Sequence, residues 1–478
     1  MKKLPNFIGR EYELKTLIRF LKKQTASLIV IKGRRRIGKS RLVAEFATRN
    51  KIKLLSFEGL APEKGITAQH QRNEFSKQMG FSSLIANDWS DLFKTLNGET
   101  QKGRVIILMD EISWLAHRDN TFLPKLKNAW DLYLKNNDQL ILILCGSASS
   151  WIERNLLSST GFVGRISFVL TLDELKFNEI NHFWNKSTKN ISPYEILKIL
   201  SITGGVPKYL EEINPHLTAE NNIKDLCFTQ GGLLFEEFDN IFGSSFIRKS
   251  NTYEKLVRLL ADGAKEASKL STMLNIKSTG RVSEYLEELE LAGFIKRDYT
   301  WKLTTGQDAK LSKYRLSDNY LRFYLKYIDK YKTKIKRGGF NMKSLSSLPA
   351  WDTIMGLQFE NMVLNNRELI FKILGLNVED IISENPYFQH GTTKQKGCQI
   401  DYMIQTKHNS LYICEIKFSK NIISKNIITE MQHKIDAIKK LKPFSYRPVL
   451  IYANVVHKDI EKGDYFVKVI NFSTLLNA

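Results

Sequence analysis

The chain has 478 residues, 42% hydrophobic and 11% aromatic, which excludes general disorder and, since single cores stop growing near about 250–300 residues, calls for three or four domains. Its 72 Lys and Arg against 50 Asp and Glu leave a formal net charge of +22, so a polyanion, DNA first, is the expected partner, with lysine enrichment for solubility as the other reading. The four cysteines Cys145, Cys227, Cys398 and Cys414 show no CxxC spacing, and no window approaches the roughly 20 apolar residues of a membrane span, which argues against zinc, disulfides and insertion and leads us to expect a cytoplasmic protein.

In chain order, apolar runs at Ser27–Ile31, Lys53–Phe57, Val105–Met109 and Leu140–Cys145 alternate with amphipathic stretches. This is the pattern of an α/β domain with a parallel sheet, expected over residues 1–170. After the first run comes Gly33-Arg34-Arg35-Arg36-Ile37-Gly38-Lys39-Ser40, a complete GxxxxGK[ST] loop followed by a helical stretch that opens on Arg41. Glycines let backbone N–H groups close on phosphate oxygens, Lys39 reaches the β and γ phosphates, and Ser40 ligates magnesium. The third run ends in Asp110-Glu111; the first carboxylate suits the magnesium and the second the attacking water. The fourth ends in Gly146-Ser147, whose hydroxyl is placed to sense the γ phosphate, although such a turn needs no functional reason.

These residues resemble the archaeal-type ATPases of the STAND branch of the AAA+ superfamily, over roughly residues 5–325. Phe7-Ile8-Gly9-Arg10-Glu11 with Glu13-Leu14 is similar to that family's opening segment, which implies that Phe7, Ile8 and Arg10 lie against adenine. Gly204-Gly205-Val206-Pro207 resembles its lid turn, implying Pro207 at the base, and Gly164-Arg165 resembles the segment carrying its arginine, implying that Arg165 stabilises phosphate charge in cis or from a neighbour. Arg41, which opens the helical stretch after the loop, is placed among the nucleotide-contacting residues. The family implies a slow ATP-hydrolysing switch, with a homo-oligomer or a regulatory protein as a further partner.

Helical patterns at Pro193–Ser201 and Pro207–Ile213 predict a helical lid over residues 171–246. Three amphipathic segments followed by Gly293-Phe294-Ile295 and Lys313–Leu316 predict a winged helix-turn-helix over 247–328. Ser278, Thr279 and Arg281 would face a DNA groove, but Glu284, Glu287, Glu288 and Glu290 repel phosphates, so docking to protein is an equal reading. Residues 329–350 read as a basic linker, with Lys332–Arg337 suited to nonspecific phosphate contact.

The last span, 351–478, reads as a second α/β domain: a helix, strands at Gln399–Met403 and Leu411–Lys417, a helix near Ile428–Leu441 and a strand at Pro448–Ala453. Asp401 lies on one strand; Glu415 and Lys417 share a face of the next. Two carboxylates and a lysine at a strand end can hold a second divalent cation and activate water against a phosphodiester, with Glu360 as a further ligand. The order resembles the PD-(D/E)XK nuclease superfamily, and the whole chain resembles archaeal-type ATPases with a DUF234-type terminal domain. The resemblance implies Asp401, Glu415 and Lys417 as the core, with Glu360 and Gln432 from flanking helices; Ile400 stands where the motif has its proline. The expected function is an ATPase switch controlling a nuclease-like domain on DNA. A scaffold that binds nucleic acid or a partner without cutting, and a signal switch without DNA, are the alternatives.

Overall fold

The computed structural model describes residues 7–81, 87–147, 149–184, 191–245, 250–276, 278–340, 344–393, 396–438 and 444–477. Five parallel strands, β1 (Ser27–Lys32), β2 (Lys53–Glu58), β3 (Val105–Asp110), β4 (Leu140–Gly146) and β5 (Ile166–Thr171), stand in the order β2-β3-β4-β1-β5. The central strands are continuous apolar runs because helices cover both faces. Along β1, Leu28 and Val30 enter one core while Ile29 and Ile31 enter the other. Only β5 escapes the sequence pattern: its exposure alternates irregularly at the sheet edge, so no clean apolar run marks it.

The lid follows. Helix Pro193–Thr203 starts on Ser192, whose side chain accepts from the Glu195 N–H, with proline in the first turn; helix Pro207–Glu211 also opens on proline. Helices Ser250–Leu260, Ala267–Met273 and Thr279–Leu291 then lead into an antiparallel hairpin, β6 (Ile295–Trp301) with β7 (Asp308–Leu316), in the span where the winged helix is expected.

That hairpin and the helix before it pack against other parts of the chain. Trp301 and Leu303, only 3% and 7% exposed, are sunk in the core of the last domain. The Trp301 indole donates to Gln405 Oε1 at 2.6 Å, and Gln405 Nε2 donates to the Leu303 carbonyl at 2.9 Å. Helix Thr279–Leu291 is clamped through Glu288, which accepts from Arg154 of the ATPase domain and from the Tyr253 hydroxyl. Ser278, Thr279 and Arg281 are exposed.

Residues 329–350 are not the open linker expected. Asp329–Lys336 is a helix, Ile335 is buried, Tyr331 lies tilted against Phe340, and Lys332 pairs with Asp239 at 2.7 Å. Lys334, Lys336 and Arg337 remain exposed, and Lys343 lies outside the described residues.

Helices Trp351–Leu364 and Arg367–Leu374 precede a second five-stranded sheet. It comprises β8 (Ile381–Gln389), β9 (Cys398–Thr406), β10 (Ser410–Phe418), β11 (Ser445–Ala453) and β12 (Lys468–Asn471), in the order β12-β11-β10-β9-β8. Strands β8, β9 and β10 form an antiparallel meander; helix Asn426–Ala437 then crosses over so that β11 runs parallel to β10, and β12 to β11. The sequence reading misses β8 and β12, and the end of its Ile428–Leu441 helix lies outside the described residues. One apolar cluster runs from Leu175 in the lid through Leu286 and Tyr320 to Phe359, Ile416 and Phe472. Among the described residues no helix is long and apolar enough to cross a membrane.

Candidate functional site

The nucleotide cradle forms where β1 turns into helix Lys39–Arg49, at the carboxyl edge of the parallel sheet. Gly38 has φ 91°, and a Cβ there would meet nothing within 4 Å; Gly33, at φ 153°, passes so close to the Leu172 carbonyl that a Cβ would lie 2.4 Å from it. The loop therefore keeps an open backbone concavity at the helix amino terminus, which fits a phosphate. Lys39 Nζ donates to the loop's own carbonyls at Gly33 and Arg34, at 3.0 and 3.1 Å. Ser40 Oγ donates to Asp110 Oδ2, so the hydroxyl and carboxylate suited to Mg2+ are already together. Glu111 sits beyond Asp110 in the left-handed region, φ 47°, a conformation that costs on the order of 1–3 kcal/mol and collects at active sites. Its Oε2 accepts from both the N–H and the hydroxyl of Ser147, at 3.1 and 2.9 Å. Ser147 thus holds the carboxylate assigned to the attacking water.

A third carboxylate joins this edge. Glu58 ends β2 opposite Asp110, and burial, then the charges of Asp110 and Glu111, push its carboxyl up, with Arg35 opposing. Sequence reading passed over it, although it occupies the strand-end position that marked Asp110.

The other expected nucleotide residues are more scattered. Arg10, 5% exposed, sends its guanidinium to Glu13 at 2.9 Å, to the Ile37 carbonyl at 3.3 Å and to the Asp173 carbonyl at 2.6 Å, and so buttresses the loop. Phe7 and Ile8 are partly buried ahead of it, and the Arg49 guanidinium lies over the Phe7 ring at 5.8 Å. Pro207 opens its lid helix two residues from Gly205, whose N–H donates to Glu174. Arg41 pairs with Glu211 of the same helix. The in-cis half of the Arg165 expectation is also corrected. Arg165 precedes β5 at the amino edge of the sheet, about 20 Å of strand from the loop at the carboxyl edge, and forks onto Asp131 at 2.7 and 3.0 Å.

The three loop arginines extend the cradle into the rest of the molecule. Arg34 pairs with Asp318 at 2.5 Å and Glu174 at 3.1 Å and reaches the Tyr209 hydroxyl at 3.4 Å. Burial would lower its pKa, but Asp318, Tyr209, Glu174 and Glu237 outweigh it, and the group is raised. Arg36 pairs with buried Glu237 at 2.8 Å, which also accepts from Tyr209, and Arg35 reaches the Asn240 carbonyl. Asp318 caps helix Asn319–Phe323. From there Asn319, Arg322 and Arg315 bond Gln358 and Asn361, the neighbours of Glu360 on helix Trp351–Leu364. A cavity of about 630 Å³ opens beside Gly33 and Arg34 among the lid turn, β6 and the Asn365–Glu368 corner.

At the second constellation, Asp401 Oδ2 accepts from the Ile416 N–H at 2.9 Å, and Glu415, 2% exposed, pairs through Oε1 with Lys417 at 3.0 Å. Its Oε2 meets Lys434 at 2.5 Å, and Lys434 lies 3.6 Å from Asp401 Oδ1. Lys417 also pairs with Glu430 at 3.1 Å. Burial, then the charge of Asp401, pushes the Glu360 carboxyl up; burial, then Glu415, does the same to Asp401. Asp401, Glu415 and Lys417 therefore converge as expected, with Glu360 within electrostatic range. The second cation finds no ready cage: among the described residues no three His, Cys, Asp or Glu side chains are assembled as metal ligands. Gln432 is also corrected, since it is exposed and bonded to Asp436 and Tyr465. Lys434, two residues on, is the inward residue, and the Glu430/Lys434 spacing on one helix face was the signal available.

The fold and the cradle define a P-loop ATPase. Residues 7–213 match the family model of an ATPase domain predominantly from Archaea. An uncharacterized protein of Methanocaldococcus jannaschii is 27% identical over 376 residues, which cover 78% of this chain and 79% of that protein. The structure of a Walker-type ATPase of Pyrococcus abyssi, 19% identical, aligns over 67% of this chain and 96% of that one with a TM-score of 0.50, a likeness of fold.

Proposed function

We propose that this chain is an ATP-hydrolysing switch whose nucleotide state governs the carboxyl-terminal domain, a nuclease-like module acting on DNA. Ser40 and Asp110 would hold Mg2+ in the cradle, where it would supply positive charge against the phosphates. Lys39 leaves its loop carbonyls for the phosphates, and Glu111, released from Ser147, takes a proton from water. Phe7, Ile8 and Pro207 bound the base, Arg10 stiffens the loop behind it, and Arg165 serves a neighbouring copy's nucleotide if it serves any. The observation carrying the switch is the buried Arg34–Asp318 pair. It ties the phosphate loop to the segment that braces the Glu360 helix, so a loop that changes shape around phosphate loads that segment directly.

Asp401, Glu415 and Lys417, on the last two strands of a meander followed by a crossover helix, support the nuclease-like reading. A second reading, a module that binds DNA or a partner without cutting, is favoured by Lys434 lying against both carboxylates. The test is full-length protein with linear, circular and single-stranded DNA, Mg2+ or Mn2+, and ATP, ADP or no nucleotide. Cleavage that depends on nucleotide and disappears in Asp401→Ala is expected. No cleavage in any state, with DNA binding intact in Asp401→Ala, would replace the nuclease by the binding module.

A further inference from the structure

A divalent ion shared by Asp401 and Glu415 would need the inward carboxylate lone pairs at about 2.0–2.6 Å. On Glu415 those lone pairs are engaged, and an ammonium stands before the free oxygen of Asp401. Lys434 Nζ is 2.5 Å from Glu415 Oε2 and 3.6 Å from Asp401 Oδ1, and Lys417 takes the other Glu415 oxygen at 3.0 Å. Lys434 comes from a different element, helix Asn426–Ala437, and its ammonium bridges the two acids across the strands. An ammonium and a divalent ion cannot occupy one position between two carboxylates. A four-carbon stem, however, lets the charge withdraw without moving the backbone.

We propose that Lys434 is a built-in counter-ion that closes the Asp401–Glu415 site to divalent cations, so that a cation binds only in competition with it. The inference rests on the reading that this domain takes a divalent cation. It assigns a role to the misfit between the acids and a metal cage: the site is held neutral and shut by the protein's own cation, and access is set by where helix Asn426–Ala437 carries Lys434. The same withdrawn ammonium is suited to a phosphodiester oxygen, which would make DNA and cation cooperative entrants. A purely structural ion pair makes the opposite prediction, since removing Lys434 would then strand two buried acids and gain nothing for a metal.

The test is Mn2+ binding to nucleotide-free full-length protein, followed by loss of the free-ion EPR signal, in wild type, Lys434→Gln, Lys434→Arg, Asp401→Asn and the Lys434→Gln/Asp401→Asn pair. The signal from the nucleotide cradle is common to all and is removed by subtracting Asp401→Asn. Lys434→Gln should bind Mn2+ at least about tenfold more tightly than wild type, since a competing unit charge at this distance is removed. Lys434→Arg should stay near wild type, and the double variant should lose the site. Asp401-dependent binding that is unchanged or weaker in Lys434→Gln overturns the role of Lys434 and leaves the cation reading standing. No Asp401-dependent binding in either protein overturns both. Should Lys434→Gln and Lys434→Met both unfold even in millimolar Mn2+, Lys434 is structural and the proposal fails.

Discussion

Lys39 and Glu111 sit on different atoms of one reaction, and single substitutions should part them. Lys39→Ala removes the ammonium that lies on the phosphate loop's own carbonyls, so tight ATP binding should be lost in a fluorescent-nucleotide titration. Glu111→Gln keeps an oxygen for the Ser147 donors and leaves the loop intact; affinity should hold while phosphate release falls by about 100-fold or more. Equal turnover in Glu111→Gln and wild type would remove Glu111 from the chemistry. Arg165→Ala, at the far edge of the sheet, should leave nucleotide affinity unchanged; a loss of affinity in dilute protein would mean that the loop and Arg165 communicate in cis after all. At this scale the sequence is informative where partners are adjacent in it. Lys39, Ser40, Asp110 and Glu111 sit in two short local patterns. Arg34 and Arg36 stand within the same loop, yet their partners Asp318 and Glu237 come from elements far along the chain, and no spacing could pair them. Lys434 escaped because a lysine on an amphipathic helix ordinarily faces water.

Among the elements, strands with both faces buried were legible as unbroken apolar runs, whereas β5, β8 and β12 are half-exposed and were not picked out. The hairpin β6–β7 shows why an element's identity does not fix its use. Its place after three amphipathic helices marked a wing, but only the last domain shows that Trp301 is a plug. Trp301→Ala should therefore cost about 3–5 kcal/mol in denaturant unfolding, the range for a large aromatic removed from a core, without changing DNA affinity measured while the protein is folded. A specific loss of DNA binding in a stably folded Trp301→Ala would return the wing to the groove. The exposed Lys334, Lys336 and Arg337 make the contrasting case. Replacing all three by alanine should weaken DNA binding uniformly across sequences and shallow the log–log salt slope by up to about three contacts, because counterion release scales with phosphates neutralised. Lys332, held by Asp239, should contribute less than any of these. An unchanged slope would leave that helix a spacer.

In the whole molecule, the lid, the hairpin region and the last domain share one apolar cluster, and the phosphate loop is pinned to it by buried charge. This makes Asp318→Asn the decisive substitution. Asparagine still caps helix Asn319–Phe323, so the element survives, and Arg34 keeps Glu174, but the charge linking the loop to the brace around Gln358 and Asn361 is gone. Removing one partner of a buried pair commonly costs about 3–5 kcal/mol, and the retained Glu174 should hold the loss toward the lower end. ATP affinity and turnover should remain within a few-fold of wild type, since none of the phosphate-contacting groups is altered. What should disappear is communication. In wild type, ATP and ADP should give different hydrogen-exchange protection in helix Trp351–Leu364, by the 1–3 kcal/mol or so typical of coupled sites. In Asp318→Asn the two nucleotides should give the same protection there. If that helix still distinguishes ATP from ADP, the loop speaks to the last domain by another route, and the lid contacts of Arg36 and Glu237 become the next to cut.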